Sequence, residues 1–287
     1  STLMLAGIRD ILIITTPEDA DQFQRVLGDG SDFGINLSYA EQPRPEGLAQ
    51  AYQIGADFVR GGPSALILGD NIFYGHGLPE LLRNADARDN GASVFAYRVT
   101  DPQAFGVVEF DKAGRATSIE EKPADPKSNY AVTGLYFYDD TVVDRARDLA
   151  PSKRGELEIS ETHSWLIKHG YKVGYKEITG WWKDTGKPKD LLDGNRLLLE
   201  RLPENIKGNV DKEADVSGNV VLEEGSEIKG RSFVRGPVTI GKNVKIIDSY
   251  IGPYTSIGEN SVIKGAEIEH SIVMNGVSVH TPKRIVD

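Results

Sequence analysis

Two aspartates close apolar runs at positions where a carboxylate serves chemistry better than solubility. Asp70 ends Ala65-Leu66-Ile67-Leu68-Gly69-Asp70-Asn71, and Asp184 stands in Trp181-Trp182-Lys183-Asp184-Thr185-Gly186. In an open α/β sheet, ligands collect beyond the carboxyl ends of the strands. Two carboxylates delivered there can share a hard cation such as Mg2+, which takes oxygen ligands and completes its shell with substrate phosphate. The chemistry suggested is phosphoryl transfer on a nucleotide. Other reagents are missing from the sequence. There is no Gly-x-Ser-x-Gly and no His-Glu-x-x-His, and His76, His163, His169, His270 and His280 show no ligand spacing. Without cysteine there are no disulfides, thiolate zinc sites or cysteine nucleophiles. Gly28, Gly30 and Gly34 imitate a dinucleotide loop but follow a helical pattern instead of a strand, and read as a turn.

The elements that must position these groups alternate in type up to about residue 202. Ile11–Thr16, Leu37–Ala40, Ala65–Leu68, Ala92–Val99, Gly106–Phe110, Ala116–Glu121 and Val132–Tyr138 read as strands. Thr16 and Pro17 open a helix as N-cap and first-turn proline. Further helical patterns run over Gly47–Val59, Leu78–Ala87, Asp140–Leu149, Glu156–His169 and Lys187–Arg201. Strands alternating with helices predict an α/β, Rossmann-like domain with a mostly parallel sheet covered on both faces.

Then the period changes. Val210, Val216, Leu222, Ile228, Val234, Ile240 and Ile246 recur at every sixth residue, and Ile251, Ile257 and Ile263 resume the spacing after a one-residue slip. Two positions earlier sits a small or β-branched residue: Ala214, Val220, Ser226, Ser232, Val238 and Val244. This period suits neither a helix nor a two-faced sheet. It predicts a left-handed parallel β-helix of hexapeptide repeats, in which each short strand turns one aliphatic inward. Leu202-Pro203-Glu204-Asn205 marks a break, giving domains at 1–204 and 205–287. His270 and His280 fall in the repeats and read as surface or turn residues.

The 287 residues are enough for two domains. With 33 basic against 43 acidic residues, the net charge of −10 argues against a broad nucleic-acid surface. The first ten residues lack a basic n-region and are broken by charge, so they read as neither a signal peptide nor a membrane span. A cytoplasmic protein, associating with copies of itself through flat solenoid faces or ends, is the economical expectation.

Six motifs occur in order: Gln42-Pro43-Arg44-Pro45-Glu46-Gly47-Leu48-Ala49-Gln50-Ala51, Leu68-Gly69-Asp70-Asn71, Glu120-Glu121-Lys122-Pro123, Val132-Thr133-Gly134, Arg154-Gly155-Glu156-Leu157-Glu158-Ile159 and Trp182-Lys183-Asp184-Thr185-Gly186. Together they resemble the sugar-nucleotidyltransferase family over essentially all of residues 1–202, and the hexad tail resembles its long members. The resemblance implies transfer of a deoxythymidylyl group from dTTP to glucose-1-phosphate, with release of pyrophosphate. It implies Asp70 and Asp184 as ligands of Mg2+ at the α-phosphate, and Lys122 on the sugar phosphate. Gln42 and the backbone at Gly47 and Leu48 would read the pyrimidine. Glu121 would bind sugar hydroxyls, Gly106 and Val132 would shape the hexose pocket, and Glu156 would add a sugar contact. Seen alone, Glu120-Glu121-Lys122 is equally a solvated charge run.

The resemblance also implies a strand, a loop of the Gly-Gly-x-Gly-Thr-Arg-Leu kind and a lysine ahead of Leu5-Ala6-Gly7-Ile8, none of which this sequence contains. The expectation that follows is a fragment of a longer or recombined frame, catalytically weak as written, because losing one preorganised donor alone costs ~2.7–4 kcal/mol. Competing readings are a uridylyltransferase or a different hexose-1-phosphate, a non-catalytic sugar-nucleotide-binding regulatory or assembly subunit, and a bifunctional acetyltransferase. The last lacks an identifiable acyl-coenzyme site.

Overall fold

The structure, a computed structural model, describes residues 2–59, 62–86, 91–152, 155–280 and 284–286. Ser1, Ala87, Arg154 and Asp287, each part of a motif or boundary named above, lie outside the described residues. Backbone contacts divide the chain into a unit of Ser1–Trp182 and a unit of Lys183–Asp287.

In the first unit the elements run α1 (Thr2–Leu5), β1 (Asp10–Thr15), α2 (Pro17–Leu27), β2 (Asn36–Glu41), α3 (Gln50–Ile54), β3 (Ser64–Ile67), β4 (Asn71–Tyr74), α4 (Leu78–Asp86) and β5 (Ala92–Arg98). They continue as β6 (Gly106–Phe110), β7 (Ala116–Glu121), β8 (Tyr130–Tyr138), α5 (Val142–Arg147), α6 (Ile159–Lys168), β9 (Val173–Glu177) and β10 (Trp181–Asp184), which carries the chain across the division. The parallel pairs are β1 with β2 and β5 with β9. Strand β8 enters antiparallel beside β3, β5 and β6, and β6 pairs antiparallel with β7. The parallel pair β1–β2 forms a sheet of its own, and in the six-stranded sheet β5–β9 is parallel while β8 runs antiparallel to its neighbours.

Side chains alternate across a strand, and β5 and β8 are apolar at both parities because both faces are covered. Val94, Ala96, Tyr136 and Tyr138 join Ala49, Tyr52, Val142, Ile159 and Leu166 on one face. Phe95, Leu135 and Phe137 join Phe73, Leu82, Ile178 and Trp182 on the other. Among the described residues, no helix is long and apolar enough to cross a membrane.

Three helices are shorter than their patterns predict. The segment Gly47–Val59 gives only α3, because Gly47 has φ of +114° and the helix stops at Gly55. Glu158 is extended, and Leu157 before it is drawn off the helix: its N–H donates to Glu46 O (2.7 Å) and its O accepts Ala49 N–H (3.1 Å). Helix α6 therefore begins at Ile159. The Asp139 carboxylate accepts from Thr141 N–H at 3.0 Å, so α5 begins only at Val142. At α2 the cap position is Thr16, but its hydroxyl donates to the Asp19 carboxylate (2.7 Å) rather than accepting a helix N–H. Gly28 ends α2, and Gly30 and Gly34 bracket a short 3-10 turn in left-handed conformations, which is the expected turn.

The second unit opens with α7 (Pro188–Leu199) and continues as a parallel β-solenoid whose three sheets each stack five strands. Early coils are 18 residues long, as three hexads require: Val216 lies over Val234 and Leu222 over Ile240. The slip after Ile246 shortens the next coil, so Val234 lies over Ile251. Leu222, Ile228, Val234, Ile240, Ile246, Ile251, Ile257, Ile263 and Ile268 fill the interior, while Val210 in an outermost coil is 40% exposed. Buried serines close the turns. Ser226 donates to Gly241 O at 2.6 Å and accepts from Val244 N–H at 3.0 Å. His270 is a turn residue with φ of +49°.

Two outcomes follow. Ser226→Ala should destabilise the solenoid by about 1–3 kcal/mol, because Val244 N–H loses its acceptor in a dry interior; an unchanged denaturation midpoint would refute this. His163, fully buried against Tyr138 with 2.6 Å between its Nε2 and the Tyr138 hydroxyl, is held by burial at about 3 instead of 6.5. The folded-state value is depressed, so the unfolded chain takes up the proton first. The stability tied to the neutral ring is full above pH 6.5 and declines as pH falls toward 3. Its slope is at most about 1.4 kcal/mol per pH unit, and His163→Phe should flatten the acid limb of Tm against pH by that component. Identical limbs would contradict it.

Candidate functional site

Several motifs of the first unit meet around β8, which carries Val132, Gly134, Tyr136 and Tyr138 at one parity. Asn71, the residue after Asp70, is buried beside β8. Its Oδ1 accepts Gly134 N–H (2.9 Å) and Trp182 Nε1–H (2.6 Å), and its Nδ2 donates to Asp70 Oδ1 (2.8 Å). Gly134 O in turn accepts Leu68 N–H at 2.9 Å. A Cβ on Gly134 would lie 2.7 Å from both Asn71 Oδ1 and Leu68 Cδ1, so the glycine of Val132-Thr133-Gly134 is a steric requirement. One carboxamide thereby ties together three motifs and fixes the exposed Asp70 carboxylate.

Two residues along the same face, Val132 adjoins the second group. Gly106 pairs with Glu121 across β6 and β7. A Cβ on Gly106 would lie 3.1 Å from Glu121 Oε2 and 3.9 Å from Val132 Cβ. Gly106, Glu121 and Val132 are therefore neighbours. Lys122 has φ of +43°, with its N–H on Phe105 O (3.0 Å), and this kink ends β7. Its exposed Nζ stands 3.9 Å from Glu121 Oε1, a separation worth little as an ion pair and suited to receiving a phosphate instead.

The third group is the 42–50 loop. Gln42 Nε2 donates to Gln50 Oε1 (2.5 Å), and Gln50 Nε2 donates to Glu46 Oε2 (2.7 Å). Gly47 is pressed against a second motif: a Cβ there would lie 2.5 Å from Leu157 N and O. The close approach that glycine permits is thus made to the chain's own backbone next to Glu156. Leu48 is 40% exposed beside it, and Ala49, Tyr52 and Leu157 anchor the loop in the core that also holds Tyr136 and Tyr138.

Asp184 lies in the second unit, with its Oδ1 accepting Gly186 N–H at 3.0 Å. It is the last residue of β10. Lys183, just before it, binds Asp190 (2.8 Å) and Asp193 (3.0 Å). Partial burial opposes its charge, but the two carboxylates outweigh that and raise its pKa.

Sequence reasoning passed over Asn71, Gln50 and Lys183. Each adjoins or belongs to a quoted motif; the partners of Asn71 lie as far as 111 positions away, beyond local spacing, whereas those of Gln50 and Lys183 lie within ten residues. Asn71→Leu should cost about 1–3 kcal/mol through the Gly134 and Trp182 N–H groups left unpaired in a dry site. Gly134→Ala should be worse, since backbone and side chain must both move; a Gly134→Ala protein with the parental Tm would contradict this geometry.

The nucleotidyl transferase family model matches residues 1–201. A glucose-1-phosphate thymidylyltransferase of Xanthomonas campestris pv. campestris (strain B100) is 55% identical over 199 residues, covering 69% of this chain and 68% of that protein. Another of that name from Streptomyces griseus is 39% identical over 280 residues, covering 98% of this chain and 78% of its own, so the alignment runs through the solenoid. A crystal structure described as a glucose-1-phosphate thymidylyltransferase from Bacillus anthracis, in complex with a sucrose, has a TM-score of 0.62 at 40% identity. It covers 68% of this chain and 78% of that one. On this match over more than half its residues and on these relatives, the chain belongs to the nucleotidyl transferase family.

Proposed function

We propose that the protein transfers a deoxythymidylyl group from dTTP to glucose-1-phosphate, giving dTDP-glucose and pyrophosphate. The observation that carries the reading is the identity of 55% over 199 residues to a thymidylyltransferase, beside a family match over residues 1–201, which hold all six motifs. Contacts within the first unit support it, with Asn71 bonded to Gly134 and Gly47 pressed against Leu157. The 42–50 loop takes the pyrimidine: Gln42 and Gln50 present a pre-set carboxamide pair, which offers donors and acceptors to a base edge. Glu121 accepts from hexose hydroxyls in the space that the missing side chain of Gly106 leaves beside Val132. Lys122 draws the sugar phosphate by charge, and Glu156 adds a polar contact from the segment that braces Gly47. The phosphate oxygen of glucose-1-phosphate then attacks the α-phosphorus in line and pyrophosphate leaves, a reaction needing position and charge neutralisation and no protein nucleophile.

Asp70 and Asp184 fit Mg2+ by donor chemistry: both are hard oxygen ligands. Among the described residues, no group of three or more such side chains could hold a metal alone, so substrate phosphate and water complete the shell in this reading. When bound, the ion neutralises charge developing on the phosphates. In this reading the enzyme works in the cytoplasm, where both substrates are soluble, and assembles as a homo-oligomer. The alternative of a uridylyl donor differs by one methyl, which a pocket discriminates only ~10–200-fold.

Calorimetric titration of the intact chain with dTDP-glucose and UDP-glucose, alongside pyrophosphate release from dTTP and glucose-1-phosphate, tests this. Tighter binding of dTDP-glucose is expected; equal or reversed affinities would favour the uridylyl reading, and no binding of either would reject both. Asp70→Asn should keep the parental Tm and lose on the order of 100-fold in kcat/KM, and chelation of Mg2+ should abolish turnover.

A further inference from the structure

The second unit contains a chain of polar contacts that leads from the solenoid to Asp184. Tyr254 is a bulky residue held at φ of +61°, a conformation rare outside glycine and asparagine. At that corner its carbonyl accepts Asn195 Nδ2–H at 2.9 Å, and Ser256 donates to Asn195 Oδ1 at 2.5 Å. The Arg196 guanidinium lies over the Tyr254 ring, 4.9 Å from its centroid. Helix α7 is therefore seated on the solenoid strand Thr255–Ile257 by both polar ends of one amide and by a cation–π contact. At its other end, Asp190 and Asp193 hold the Lys183 ammonium from two sides at 2.8 and 3.0 Å.

Successive residues of a strand point to opposite faces. Pinning Lys183 toward α7 thus turns Asp184 away from the helix, and Gly186 N–H on Asp184 Oδ1 fixes its carboxylate plane. We propose that Lys183, Asp190, Asp193 and Asn195 are positioning residues for Asp184, and that the solenoid is the rigid base from which this carboxylate is aimed. The inference rests on the reading of Asp184 as a Mg2+ ligand. It gives the solenoid a part in the reaction besides any role in assembly.

The test compares the full-length chain with Lys183→Met, Lys183→Arg, Asn195→Ala and Asp184→Asn. Two quantities are read: hydrogen exchange of residues 183–187, and the factor by which Mg2+ strengthens dTDP-glucose binding relative to EDTA. Lys183→Met and Asn195→Ala should keep the metal-free affinity and the parental far-UV spectrum, exchange faster at 183–187, and lose about 10-fold or more of the Mg2+ factor, the range for residues that orient a metal ligand. Lys183→Arg, able to span both carboxylates, should restore most of it. A general structural defect would instead lower binding with and without the metal.

If Asp184→Asn abolishes the Mg2+ factor while Lys183→Met retains it, the positioning role is overturned and the metal assignment stands. If Asp184→Asn itself retains the factor, the metal assignment fails and the proposal with it.

Discussion

A single buried carboxamide sets the geometry on which the site depends. The Asn71 side chain bonds Asp70 beside it and reaches two other motifs, at Gly134 and Trp182. A buried amide is costly unless its donors and acceptors are met, and here the partners that satisfy it are the segments that must converge. The cost of leaving the amide unmet and the placement of the Asp70 carboxylate are therefore one constraint. Gly134 follows from it, because only a residue without Cβ lets β8 approach Asn71 and Leu68 so closely.

The second unit meets a different demand by repetition. Each coil buries one aliphatic per side and leaves its backbone polar groups to the coils above and below, so the stack is rigid along its length without a large core. Where coils turn, buried serines satisfy the N–H and C=O groups that the strands leave over. A stack of this kind is a poor place for a flexible active site but a good foundation for one helix. Helix α7 stands on it, joined by Asn195 and Arg196, and its first turns receive Lys183.

Much of this was readable from residue order. The six-residue period marked the solenoid interior, and the register of the coils reproduces even its one-residue slip, with Val234 over Ile251. Strands β6 and β7 coincide with their sequence spans because Val and Ile alternation in a half-buried hairpin is local information. The helices were overextended wherever a tertiary contact outweighed helical pattern: Leu157 is drawn to Glu46 and Ala49, and the Asp139 carboxylate holds Thr141. The antiparallel entry of β8 was hidden for a related reason, since a strand buried on both faces reads alike in either direction. Within the site, Gly106, Glu121 and Val132 were grouped by resemblance and are neighbours in space. At Gly47 a Cβ would collide with the backbone of Leu157, a contact that no local spacing announces.

The most direct measurement is a crystal structure of the protein with dTDP-glucose and Mn2+, an anomalous scatterer that takes the place of Mg2+. Carboxylate oxygens of both Asp70 and Asp184 should lie about 2.0–2.2 Å from one ion that also contacts a phosphate oxygen of the ligand. An ion held by phosphates and water, with either carboxylate outside its coordination shell, would contradict the pairing of the two aspartates.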